Sequence, residues 1–155
     1  MVVNLALLLT KVKRTLIRIG QSSELTRWYD DNGDKTLRLN YQLDENSIVF
    51  DLGGYEGQWA SDIFSKYCCH IYIFEPVSDY YQSLSKRFCK NGKISCYNYG
   101  LAGRNYECNI SLDENGSSIF KKAGSSQKIV LLKADEFLHN NGIDHIDLIK
   151  INIEG

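Results

Sequence analysis

The heptapeptide Asp51-Leu52-Gly53-Gly54-Tyr55-Glu56-Gly57 sets an acid at the end of an apolar run and three glycines just beyond it. Glycines at such a turn permit positive φ and leave no Cβ between the backbone and a ligand. Glu75 closes the next apolar run, Ile71-Tyr72-Ile73-Phe74, where a carboxylate can accept both hydroxyls of a ribose. Acid, glycine turn and second acid, one βαβ unit apart, fit a nucleoside-bearing cofactor at the carboxyl end of a parallel sheet. The dinucleotide pattern G-x-G-x-x-G is not met, because setting its last two glycines on Gly54 and Gly57 puts Leu52 at the first. The pattern present is D-x-G-x-x-x-G. S-adenosyl-L-methionine carries no phosphate; it needs a close backbone wall and acids for its ammonium and ribose hydroxyls, and this loop suits it better. A nicotinamide-binding dehydrogenase is the weaker alternative. The plainer reading, a tight turn at Gly53, Gly54 and Gly57 beside a solvated Glu75, must explain why both features occur in order.

Stepping outward, the chain supplies elements to hold these residues. Ile48-Val49-Phe50 reads as a short strand ending at Asp51, followed by a helix with Trp59, Ala60, Ile63, Phe64 and Tyr67 on one face. After the strand at 71–74, Ser78 is placed to cap a helix that turns Tyr80, Tyr81, Leu84 and Phe88 inward. A third strand is expected from Ile94 to Tyr99. Apolar strands alternating with amphipathic helices predict an α/β fold with a parallel sheet covered on both faces. Further on, residues 106–120 read as a polar hairpin turning at Asn115-Gly116, Ile129–Leu132 as a strand, and 135–140 as a short helix. Ile146–Ile151 reads as a last strand. A buried strand with nothing after it leaves an unprotected edge, so residues 47–155 are expected to be the N-terminal part of a domain.

Two segments precede it. Residues 1–20 read as a basic amphipathic helix, with Leu5, Leu8, Leu9, Val12, Leu16 and Ile19 at helical spacing among Lys11, Lys13, Arg14 and Arg18. Packing on the domain is the favoured role for residues 2–19, and peripheral membrane or partner contact the alternative. Residues 21–46 read as a turn-rich hairpin lead-in, with a turn at Asp31-Asn32-Gly33-Asp34 and alternation from Thr36 to Tyr41.

Composition narrows the class. The 155 residues include 18 basic and 19 acidic side chains, a formal net charge of −1, which disfavours a nucleic-acid partner. Five cysteines, an odd number without paired C-x-x-C motifs, predict free thiols in a reducing cytoplasm rather than a disulfide or zinc framework. The charges follow the apolar Leu5–Leu9 run, the reverse of a secretory signal. His70, His139 and His145 lack the spacing of a metal site and are expected at the surface, so no metal is assigned.

From Val49 through Gly57, the sequence resembles the FkbM family of S-adenosylmethionine-dependent methyltransferases. Phe74-Glu75-Pro76, Asn98-Tyr99-Gly100-Leu101, Asn115-Gly116-Ser117-Ser118 and Leu148-Ile149-Lys150-Ile151-Asn152-Ile153-Glu154-Gly155 carry the resemblance onward, over roughly residues 46–155. It implies a Rossmann-like class I methyltransferase with a mostly parallel sheet, of which this sequence supplies strands one to four and lacks the last three. It also implies methyl transfer to a hydroxyl oxygen, of a sugar or related natural product, with a small-molecule or glycan acceptor. An inactive cofactor-binding fragment is the alternative.

On this reading Asp51, Gly53, Gly54, Tyr55 and Gly57 hold the methionine portion, Glu75 the ribose, and Asn98 and Leu101 flank the adenine. Asn152 stands near the cofactor, where the family more often has Asp; losing that carboxylate argues against a metal or base role there. A sugar hydroxyl is a weak nucleophile and calls for a base or a polarising cation. Glu154 is the expected base, with Lys150 orienting it or stabilising a developing alkoxide; the plainer alternative for Lys150 is a strand residue paired with a neighbouring acid.

Overall fold

A computed structural model describes residues 23–33, 36–113, 116–118 and 125–153. The N-terminal helix expected at 2–19 lies outside them. The chain divides into two compact units, Met1–Gln42 and Leu43–Gly155.

In the first unit, helix α1 spans Ser23–Asp30 and residues 36–39 form turns, so the expected hairpin and strand are replaced. The reason lies in Asp31-Asn32-Gly33. Asn32 takes a left-handed conformation, φ 53°. Its N–H reaches Tyr29 O at 3.2 Å and the Gly33 N–H reaches Trp28 O at 2.7 Å. That pair of bonds is the Schellman closure of a helix C-terminus. A left-handed Asn before Gly serves a helix end as well as a hairpin, and here it ends a helix.

The second unit is built on a four-stranded sheet in the order β3-β2-β1-β8, with every adjacent pair parallel. Its strands are β1 (Ile48–Leu52), β2 (His70–Phe74), β3 (Ile94–Tyr97) and β8 (Leu148–Ile151). The Rossmann-like α/β class follows from this topology. Helix α2 (Gln58–Tyr67) joins β1 to β2 and α3 (Ser78–Phe88) joins β2 to β3, the crossovers that parallel pairing requires.

Both faces are covered because the strands are apolar on both. Phe50 and Phe74 point to one face, where Phe137 of α4 (Ala134–Asn140) and Ile143 complete a buried cluster. The Phe74 and Phe137 rings meet edge to face at 4.9 Å, a geometry favoured by the ring quadrupoles. Val49, Asp51, Ile71 and Ile73 alternate to the other face, all without exposed surface. There α2 packs against β2 and α3 against β3, burying Trp59, Ala60, Ile63 and Leu84. Each large apolar side chain so buried contributes roughly 1.5–3 kcal/mol.

The expected third strand stops at Tyr97. A second sheet, in the order β4-β7-β5-β6, takes the chain from there. It comprises β4 (Gly100–Ala102), β5 (Tyr106–Asp113), β6 (Gly116–Ser118) and β7 (Ser125–Lys133). Strand β7, the predicted Ile129–Leu132 segment, pairs parallel with β4 and antiparallel with β5. The expected hairpin is present as β5 and β6, antiparallel with Asp113 opposite Gly116; Asn115 lies outside the described residues. Val77, Ile110 and Ile129 form its buried cluster. Among the described residues no helix is long and apolar enough to cross a membrane.

Candidate functional site

The two predicted acids stand at the same end of the parallel sheet. Asp51 is the fourth residue of β1, opposite Ile73, and Leu52 lies opposite Phe74, so Glu75 follows directly at the neighbouring strand end. One bond ties the glycine turn to the second acid: the Tyr55 N–H donates to Glu75 Oε2 at 2.8 Å. The other oxygen, Oε1, accepts from Val77 N–H at 3.0 Å. Only 5% of Glu75 is exposed, which excludes the solvated strand-end reading. Burial is the main force raising its pKa above the ordinary range, and the Asp51 charge adds to it. The two amide bonds and the Lys150 charge act in the opposite direction. Each carboxylate oxygen still has a second lone pair to offer.

The glycine turn is shaped by what surrounds it. Gly53 has φ 82°, its N–H bonds Phe74 O at 2.9 Å, and a Cβ there would strike the Asn152 carbonyl oxygen. Gly57, φ 75°, forms the N-cap of α2; a Cβ would sit 2.6 Å from a Leu84 methyl and 2.7 Å from the Phe88 ring. Gly54 is equally enclosed, by Ile73 and Leu84. These positions require glycine for close packing of the turn against β2, α3 and the residue just after β8. Tyr55 lies between them with φ 49°, its ring 4.6 Å edge-on from Tyr80 and 52% exposed.

Lys150 enters from β8, where it pairs in register with Asp51. Its Nζ donates to Asp51 Oδ1 at 2.8 Å and to Gly53 O at 2.8 Å, and lies 5.8 Å from the Trp59 ring centroid. Asp51 is fully buried, and a carboxylate removed from water needs such a partner. Lys150 is therefore committed to the glycine turn in this geometry. Asn152 N–H bonds Leu52 O at 2.9 Å, holding its backbone beside Gly53. Glu154 lies outside the described residues.

Asn98 and Leu101 both have contacts within the fold. The Asn98 amide donates to Glu75 O at 3.1 Å and Pro76 O at 3.3 Å, bracing the loop that presents Glu75. Leu101 packs against the Phe50–Phe74–Phe137 cluster, so its side chain serves the core. Ser78 does not cap α3: the N-cap is Val77, without a side-chain bond. Instead Ser78 Oγ donates to Asn98 Oδ1 at 3.4 Å and accepts from Gln127 Nε2 at 2.7 Å. Glu75 supplies the acceptor that the helix start needs.

Three contributors were not legible in the sequence. Arg87 of α3 donates to Glu56 O at 2.7 Å and Gln58 Oε1 at 2.9 Å, clamping the glycine turn from above. Trp59 forms the wall beneath Lys150, and Gln127 reaches Ser78 from β7. Arg87 and Gln127 carry no spacing signal, because their partners are distant in sequence. Trp59 followed an amphipathic pattern that announces only a core residue.

The histidines do not join this site. His145 pairs with Asp144 at 2.7 Å, both exposed, and the Asp144 hydrogen bond raises its pKa. Among the described residues no three His, Cys, Asp or Glu side chains form a metal-binding group. All five cysteines are unpaired thiols; burial is the main cause lifting Cys96 to a pKa of about 11, with the Asp51 charge adding to it.

The donor set fits a nucleoside–amino-acid cofactor. It offers a buried carboxylate with free lone pairs for ribose hydroxyls, and an acid-plus-carbonyl pair already coordinating an ammonium. Comparison with curated proteins finds no match to the chain. The Methyltransferase FkbM domain matches residues 51–155, beginning at the acid of the glycine turn and covering most of the chain. The chain belongs to the FkbM methyltransferase family.

Proposed function

We propose that this protein transfers a methyl group from S-adenosylmethionine to a hydroxyl oxygen, of a sugar or related natural product. The observation that carries the reading is the Tyr55 N–H bond to Glu75 Oε2, which joins the glycine turn to a buried acid at the sheet end where such cofactors bind. Family membership supports methyl transfer over the hydride-transfer alternative.

Glu75 would hold the ribose hydroxyls, its free lone pairs facing away from the Tyr55 and Val77 amides. Asp51 and the Gly53–Gly57 backbone would hold the amino-acid portion. S-adenosylmethionine, when bound, supplies a methyl group activated on a sulfonium, so the protein's task is alignment and charge management. Glu154, following β8, is the proposed base for the acceptor hydroxyl, contributing the 10²–10⁴-fold typical of positioned proton transfer. The test is incubation with radiolabelled S-adenosylmethionine and a panel of sugars, polyols and phenols. Label on an acceptor oxygen, lost in Glu75→Ala, is expected. Label found only on nitrogen or carbon would refute the acceptor class.

A further inference from the structure

The Lys150 ammonium is held by a carboxylate oxygen, a backbone carbonyl and an aromatic face: Asp51 Oδ1 and Gly53 O at 2.8 Å each, and the Trp59 ring at 5.8 Å. Carboxylate, carbonyl and indole are the groups that recognise a primary ammonium of any origin. Asp51 and the Gly53 backbone are also the groups assigned above to the amino-acid portion of the cofactor. A second ammonium on the same two oxygens would stand a few ångströms from the first, and the repulsion between like charges opposes that double occupancy.

We propose that Lys150 is an internal stand-in for the cofactor's α-ammonium, parked on Asp51 and Gly53 O and displaced when the cofactor binds. The inference rests on the methyltransferase reading of the site. It gives Lys150 two positions. Parked, it neutralises the fully buried Asp51 and keeps the glycine turn closed against β8. Displaced, its place is taken by a group of the same charge, so Asp51 never stands alone, and the lysine is released to solvent. Its side chain is already 22% exposed, so release does not require β8 to unfold. The exchange lowers apparent affinity for any ligand carrying the ammonium, since each must first displace the resident cation. Ligands without that group escape the cost.

The test uses the full wild-type chain and two probes. S-adenosylhomocysteine carries the α-ammonium; 5′-methylthioadenosine shares the adenosine and thioether but lacks the amino acid. Calorimetry establishes saturation by each, and brief lysine acylation followed by peptide mass spectrometry reports the reactivity of Lys150. Saturating S-adenosylhomocysteine should raise Lys150 acylation about fivefold or more, while 5′-methylthioadenosine leaves it unchanged, as expected for release of a residue with two populated positions. In a second arm, Lys150→Met should tighten S-adenosylhomocysteine about tenfold without altering 5′-methylthioadenosine binding. Lys150 that stays protected, or becomes more so, while S-adenosylhomocysteine is bound overturns the parking role and leaves the methyltransferase reading standing. If neither probe binds, the reading of the site falls and the parking role with it. The acylation arm decides the matter even where Lys150→Met does not fold.

Discussion

In the parallel sheet, Ile48–Phe50 of β1 and Ile71–Phe74 of β2 are apolar runs, and where they end Asp51 and Glu75 stand buried, held by bonds of 3.0 Å or less. In the mixed sheet, β5 alternates polar and apolar residues, β7 runs from a polar first half into Ile129–Leu132, and one of the acids, Glu107, pairs with Lys128 in the open. The contrast follows from burial. A sheet covered on two faces excludes polar side chains except where a strand ends, so an acid at that end is conspicuous and committed. A sheet covered on one face tolerates charges anywhere, and any one of them means little.

The largest effect that could break this comparison is in the cores. Phe74→Ala should cost about 3–5 kcal/mol in urea denaturation, as large aromatic truncations in packed cores do, since the ring touches Phe50, Tyr97 and Phe137. Val130→Ala, 37% exposed on β7, should cost no more than ~0.5 kcal/mol. Equal losses would mean the two sheets are not differently built. Next comes the turn. Gly57→Ala combines φ 75° with the Phe88 ring in the path of the new methyl and should destabilise by about 1–3 kcal/mol, whereas Gly103→Ala, with nothing near its Cβ, should stay near wild type in the same denaturation series.

The acids sharpen the comparison through pH. Glu75 has its pKa raised, chiefly by burial. The folded state therefore holds the Glu75 proton more tightly than the unfolded one. This contribution to stability is fully present below the unfolded pKa and declines as pH rises through the folded value. In the proposed role Glu75 accepts ribose hydroxyls in its ionised form, so cofactor affinity should fall on acidification with a midpoint above the ordinary glutamate range. Titrations across pH should show this in wild type and not in Glu75→Gln. The smallest effect belongs to the exposed acid: Glu107→Ala should change stability by ~0.5 kcal/mol or less, and leave the binding profile intact.

Much of this was legible beforehand. The strand–glycine turn–helix unit is legible because apolar strands buried on both faces interrupt their pattern only at their ends. The mixed sheet was read only as a hairpin and a strand: local alternation shows that Tyr106–Asp113 is extended, but not that β7 will pair with β4. The Asp31-Asn32-Gly33 turn is ambiguous in sequence because one left-handed residue serves both a hairpin and a Schellman closure. Within the site, Asp51 and Glu75 were identifiable from spacing. That Lys150 pairs with Asp51 in particular is set by strand register, a long-range pairing that local sequence does not specify. Arg87 and Asn98 are unreadable as loop braces for the same reason, since their partners, backbone carbonyls and the Gln58 side chain, lie far along the chain.

The central claim is that Glu75, joined to the glycine turn through Tyr55, grips the ribose of an adenosyl cofactor. Calorimetric titration of S-adenosylhomocysteine into the wild-type chain, Glu75→Ala and Glu107→Ala tests it most directly. Saturable binding is predicted for wild type and Glu107→Ala, and binding at least about tenfold weaker for Glu75→Ala, the loss of a pair of charge-assisted hydrogen bonds. Equal affinity in all three proteins would contradict the account.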